Sequence, residues 1–245
     1  MMTNRETAAT ASSRLYVDEG LRQYMMKVYN YMSGGLCVTA LVAFLLMNNP
    51  SIASLFFTLS PAGGIIGLSG LGWLALFAPF LMVFGLNWVI SRGTMAQVQA
   101  TFWSFAAVMG ISLTPTIMAY TGASVTRIFL ITAAMFGGMS LYGYTTKKSL
   151  TTMGSFLIMG VWGLVIAMLI NMFVQSSGLY YALSALSVLI FTALTAYDTQ
   201  NIRQIYLESD HSDGNSRRAV YGALSLYLDF INIFISLLNL FAERK

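Results

Sequence analysis

The stretch ALSLYLDFINIFISLLNLF, residues 223–241, decides the fold. It is long and apolar enough to cross ~30 Å of hydrocarbon as a helix. Yet it carries Ser225, Asp229, Asn232, Ser236 and Asn239. These are spaced by 4, 3, 4 and 3 residues, so all five share one helix face. Leu, Ile and Phe fill the other faces. A polar stripe on an otherwise apolar membrane helix points at protein or water, not at lipid.

The apolar run before it has the same anomaly. SVLIFTALTAYDTQNIRQIY, residues 187–206, holds Asp198 beside Thr192, Thr195 and Thr199, which recur at steps of 3 and 4. Of nine acidic residues, only Asp198 and Asp229 lie inside long apolar runs. A carboxylate at the centre of a membrane helix costs roughly 2.5–3.5 kcal/mol on the insertion scale. Asp198 lies 8 residues before Tyr206, roughly 12 Å along a helix. Asp229 lies 10 residues after Ala219, roughly 15 Å. In antiparallel neighbours the two reach similar depth. Two facing carboxylates do not both ionise cheaply, so they are expected to share a proton and titrate as a pair. The alternative is that each caps a break or bonds a nearby hydroxyl. That fits Asp198, which a polar TQN follows, better than Asp229, which apolar turns flank on both sides.

Composition places the rest of the chain in the same solvent. It is 57% apolar and 9% charged over 245 residues, with a mean hydropathy of +0.69. Soluble domains carry about 25% charged residues. Seven apolar runs are read as transmembrane helices, near 27–47, 71–91, 99–120, 126–145, 153–174, 180–205 and 219–241. Residues 1–26 are read as a polar cytoplasmic tail that becomes interfacial near Val17–Met26, and 27–245 as the transmembrane domain. The segment 48–70, with Pro50 and Pro61, is expected to be an external loop with a short dipping piece.

Loop charges set the orientation. With the N-terminus in the cytoplasm, ten basic residues fall inside (Arg5, Arg14, Arg22, Lys27, Arg92, Lys147, Lys148, Arg203, Arg217 and Arg218). Three fall outside, Arg127, Arg244 and Lys245. That is a positive-inside bias. The C-terminal pair fits either a crossing last helix or one that re-enters. The net charge of +4 needs no nucleic acid to explain it. The N-terminus shows no cleavable signal pattern.

Small residues four apart, Ala133 with Gly137 and Ala134 with Gly138, are expected at close helix contacts, as are Gly160 and Gly163. Tyr180 and Tyr181 are placed at the outer interface. The single cysteine, Cys37, is read as a small buried apolar residue. One cysteine and one histidine, His211, allow neither an internal disulfide nor Cys/His metal spacing. Arg92, in LNWVISRG, ends the second run. It either snorkels to the interface or reaches inward to a buried carboxylate.

LTAYDTQNIRQIY (194–206), LSLYLDFINIFISLLNLF (224–241) and FGGMSLYGYTTKKSL (136–150) resemble the transmembrane Bax inhibitor motif family, the last similar to its bacterial branch. The likeness covers most of residues 20–245. It implies an all-α polytopic fold of seven helices with the last one central, in the bacterial inner membrane. It also implies a pH-sensitive calcium leak, in which Asp198 and Asp229 form the pH sensor and line the ion pathway. Arg92 then takes the role of a gate lock paired with Asp198. Where a bacterial member has a glutamate earlier on the second helix, this chain has a residue near Leu81, so that acidic site has no counterpart.

Three function classes were weighed. In a channel, Asp198 and Asp229 supply a weak, transient calcium site, with Thr195, Thr199, Ser225, Asn232 and Ser236 as pore-lining candidates. Calcium prefers oxygen ligands, and conduction requires weak binding. Calcium is then the permeant ion, and no cofactor is expected. An enzyme is not expected. The Gly-x-Gly-Asp of intramembrane aspartyl proteases is replaced by Leu226, Tyr227, Leu228 and Asp229, His211 lies in a loop, and no phosphate-binding glycine loop occurs. The alternative is a membrane-embedded regulator that binds a membrane protease or a cell-death partner through the N-tail and residues 207–218.

Overall fold

A computed structural model describes residues 3–60, 64–206 and 213–244, with side chains from residue 19 onward except at positions 87 and 213. His211 and Lys245 lie outside the described residues, as do the side chains of Arg5 and Arg14. The helices are α1 (Thr3–Asn48), α2 (Pro50–Ala53), α3 (Gly70–Arg92), α4 (Met95–Met118), α5 (Gly122–Thr145), α6 (Thr151–Val174), α7 (Ser177–Ile205) and α8 (Asp213–Phe241). All but α2 are long and apolar enough to span a membrane, α1 from Glu19 onward. The chain is an all-α, multi-pass integral membrane protein.

Local chemistry explains the breaks between spans. Thr94 caps α4 in a reciprocal box with Gln97, directly after Gly93 ends α3. Ser69, Thr121 and Ser176 cap α3, α5 and α7 by accepting from backbone N–H groups three residues on. α6 stops at Gln175, whose φ of 53° is left-handed.

The last helix is central. α8 touches α7, α1, α5, α4 and α3, whereas α6 packs chiefly on α7. Its buried face (Val220, Leu226, Tyr227, Ile233, Leu238) meets Val28 from α1 and Phe102 and Phe105 from α4 in the main core. The outer belt is apolar, as lipid requires: Phe80, Leu81 and Phe84 on α3 and Phe156, Met159 and Phe173 on α6 are exposed.

Two clusters of bonds fix which ends lie together. On one face, Arg203 donates to the Tyr144 carbonyl at 2.8 Å, Gln200 bonds Leu150 N and Lys148 O, and Tyr24 packs on Tyr206. This basic face gathers the ends of α1, α5, α6 and α7. On the opposite face, Thr121 N donates to Glu243 O at 3.0 Å, and Tyr120 pairs with Arg244 in an isolated bridge. α8 therefore crosses completely and ends beside the α4–α5 turn, which removes the re-entrant alternative.

Other expectations are corrected. α1 runs unbroken through residue 26, with Tyr24 and Met25 buried in the core, so no boundary falls at 26/27. Residues 48–70 form α2 and a two-stranded antiparallel hairpin, β1 (Phe57–Leu59) with β2 (Ile65–Leu68). Phe57 packs that hairpin onto Leu46 and Ala53, which anchors it on the end of α1. Cys37 is exposed, not buried. Ala133, Ala134, Gly137 and Gly138 are exposed as well, and a side chain at Gly137, Gly138 or Gly163 would meet open space. Gly160 does face a neighbour, Ile190 of α7, and other close helix contacts lie at Gly143 against the Ala196 backbone, Gly110 against Thr39 and Val42, and Gly154 against Tyr197.

Candidate functional site

The site is the seam between α7 and α8. Gly222 lets Ile202 approach, the contact being set by the absent Cβ. That contact fixes the antiparallel register. Four residues back along α7 stands Asp198, and seven residues on along α8 stands Asp229. The two are thus offset by three residues, about 4.5 Å along the axis, with Thr195 level with Asp229. Both carboxylates come to the inside of the bundle at similar depth, and they interact electrostatically.

Their surroundings differ. Asp229 is 4% exposed, and its Oδ2 has no hydrogen-bond partner among the described residues. Asp198 is half-buried, and among the described residues no group forms an ion pair with it. Burying an acceptor without a partner costs about 1–3 kcal/mol. Neither residue acts as a helix cap, since both lie well inside α7 and α8.

The polar stripe of α8 is real. Asn232, Ser236 and Asn239 line one cleft of about 400 Å³ with Asn171 of α6 and Ser184 and Ser187 of α7. Ser225 is half-buried toward the other end. Thr195 and Thr199 are not in that cleft. Both are fully buried, and both close on carbonyls one turn back, Thr195 on Phe191 and Thr199 on Thr195. Thr199 also meets Ser140 of α5 at 3.1 Å, and Ser140 meets Tyr29 of α1 at 2.6 Å. Thr199 thus ties α7 to α5 and, through Ser140, to α1, while Thr195 bonds only within α7.

Arg92 is exposed at the end of α3. The one ion pair among the described residues joins Arg22 to Glu19 at 3.5 Å. The structure therefore does not bring Arg92 to Asp198, because α3 lies along α4 and only grazes α8. No group of three or more His, Cys, Asp or Glu suited to a metal occurs among the described residues, so any calcium site here rests on two carboxylates and neutral oxygens.

Two features escaped the sequence. Tyr227, fully buried, meets Thr39 Oγ1 at 2.7 Å, and that hydroxyl also lies 2.8 Å from the Ala106 carbonyl. This knot joins α1, α4 and α8 two residues from Asp229 along α8. Ser187 of α7, whose hydroxyl is buried without a partner among the described residues, lines the seam cleft. The spacing of Ser184 and Ser187, three apart, was the available signal for the second.

Comparison with known proteins assigns the chain to a family. The chain is 38% identical to the inner membrane protein YbhL of Escherichia coli K12, over 92% of this chain and 94% of that one. It is 37% identical to a protein of Rickettsia prowazekii over the full length of both. It is 41% identical to one from Borreliella burgdorferi, over 91% and 93%. The family described as inhibitor of apoptosis-promoting Bax1 matches residues 21–245, and the chain belongs to this Bax inhibitor family of membrane proteins.

Proposed function

We propose that this protein is a pH-sensitive calcium leak channel of the bacterial inner membrane, with its N-terminus and basic face in the cytoplasm. One observation carries the reading. A carboxylate with an unpartnered oxygen sits in the central helix at mid-span, next to a second carboxylate. A purely structural helix gains nothing from that arrangement. A cation path gains a negative site, and a proton switch gains a coupled pair.

Asp198 and Asp229 attract the ion and share a proton. Calcium takes carboxylate and amide oxygens, and with so few ligands it is bound weakly enough to leave. In the closed state Arg92 pairs with Asp198. The exposed position of Arg92 means that closing moves the inner end of α3 toward α7. Acid neutralises the pair, weakens the lock and favours opening. A fully protonated pair binds calcium poorly, so the leak flattens or declines at the acid end. Protease chemistry is disfavoured by Leu226 and Leu228, bulky side chains where the Gly-x-Gly-Asp motif has glycines. Leu226 is fully buried, so no open backbone stands there for a substrate to approach.

The test is calcium flux into liposomes carrying purified protein, across pH. Wild type should leak more as pH falls from alkaline to mildly acidic, and Asp198→Asn should flatten that response. A protein that passes no calcium at any pH would overturn the channel reading in favour of a membrane-embedded regulator.

A further inference from the structure

Two of the four buried side-chain atoms without a hydrogen-bond partner among the described residues belong to the α7–α8 seam. They are Ser187 Oγ and Asp229 Oδ2. Ser187 lines a polar cleft with Asn232 of α8, and Asn232 and Asp229 share the polar face of α8. The seam therefore carries polar groups from the face of Arg244 toward the carboxylate. Most buried hydroxyls elsewhere behave differently, Thr192 excepted. Thr39, Thr114, Thr132, Ser140, Thr195 and Thr199 all bond protein groups.

The polar cleft lies at the start of this seam. Its volume of about 400 Å³ has room for several waters at about 30 Å³ each. Tyr180 and Asn239 stand at its outer end, and Asn232 is its deepest residue on α8. Asn232 is half-buried although it lies near mid-helix. From Asn232 to Asp229 is three residues, about 4.5 Å. Ser187 is 1% exposed and lines the cleft with its hydroxyl unpartnered.

We propose that the cleft between α6, α7 and α8 is a water-filled vestibule for hydrated cations and protons, which opens on the face of the C-terminus and ends at Asp229. This rests on the channel reading and adds the side from which Asp229 is reached. Neutral amide and hydroxyl oxygens line the vestibule, so a cation passes without being held. Water satisfies Ser187 and relays protons to the carboxylate. α3 takes no part in the lining, so the vestibule does not depend on where Arg92 stands. The groups facing Asp229 are few. α7 contributes Asp198, α3 and α5 carry their charged residues only near their ends, α4 and α6 carry none, and α1 carries none beyond Lys27.

Sided cysteine labelling tests it. Ser236→Cys, Asn232→Cys and Ser225→Cys are made separately in a Cys37→Ala protein and exposed to a membrane-impermeant cationic thiosulfonate from the Arg244 face. Only a thiolate that water reaches reacts, so Asn232→Cys and Ser236→Cys should label at least about tenfold faster than Ser225→Cys. Tyr180→Cys, at the outer end, is the positive control. Equal rates at positions 232 and 225, or no labelling at 232 while 180 labels, overturns the vestibule. Labelling needs no ion flux, so it decides the cleft even where wild type proves not to leak. Where it does leak, the reagent on Asn232→Cys should cut calcium flux severalfold, and unchanged flux would place the vestibule off the path.

Discussion

Replacing Asp229 by Asn should make the protein more stable while impairing the proposed switch. The side chain is 4% exposed, its Oδ2 bonds nothing, and the charge of Asp198 acts on it. An amide keeps the size and shape, so no cavity opens. It removes the charge and the repulsion. The unpartnered acceptor alone is worth about 1–3 kcal/mol, and an amide recovers part of that. A net gain of about 1–2 kcal/mol corresponds to about 2–8 °C in melting temperature for a chain of this size. Thermal unfolding of detergent-purified protein, followed by tryptophan fluorescence, measures it. The gain should be largest at alkaline pH and shrink in acid, where protonation already removes the charge. It should also shrink when Asp198 is Asn, because contacting residues are not additive. A variant that melts below wild type at every pH would show that Asp229 makes a stabilising bond, and the reasoning would fail.

Gly143→Ala should destabilise by about 1–3 kcal/mol, because its methyl meets the Ala196 backbone rather than a side chain able to turn aside; a denaturant series reads this. Gly138→Ala, facing open space, should be neutral in the same series. Arg92→Ala should raise calcium leak at pH 8 if the arginine locks the closed state, and unchanged flux in a well-folded variant would leave only snorkelling. Ser149→Cys should resist impermeant reagents added outside intact cells, and labelling there would reverse the proposed orientation.

The spans were legible because each apolar run must bond its own backbone in lipid. The described helices differ from the expected limits mainly at ends, where caps such as Thr94 and Ser176 decide. The stripe from Ser225 to Asn239 was legible because a polar face in lipid needs a protein or water partner. What turns on neighbours was not. Ala133 and Gly137 permit close approach but do not require it, and no helix comes. Gly143 looks no different in sequence and receives α7. Cys37 reads alike in a core and against lipid, since both are apolar. The C-terminus needed the Thr121–Glu243 bond, a pairing of residues far apart in the chain. Arg92 was placed by resemblance, and its partner depends on how α3 tilts, which local sequence does not encode.

The central claim is that Asp198 and Asp229 act as one unit. The most direct measurement is calcium flux against pH in liposomes for wild type, Asp229→Asn, Asp198→Asn and the double variant. Asp229→Asn should move the midpoint of the wild-type response to lower pH, because Asp198 then no longer shares its proton with a like-charged neighbour. Asp198→Asn and the double variant should both be flat. An Asp229→Asn curve with the wild-type midpoint would mean the two carboxylates titrate independently, and the paired switch would have to be abandoned.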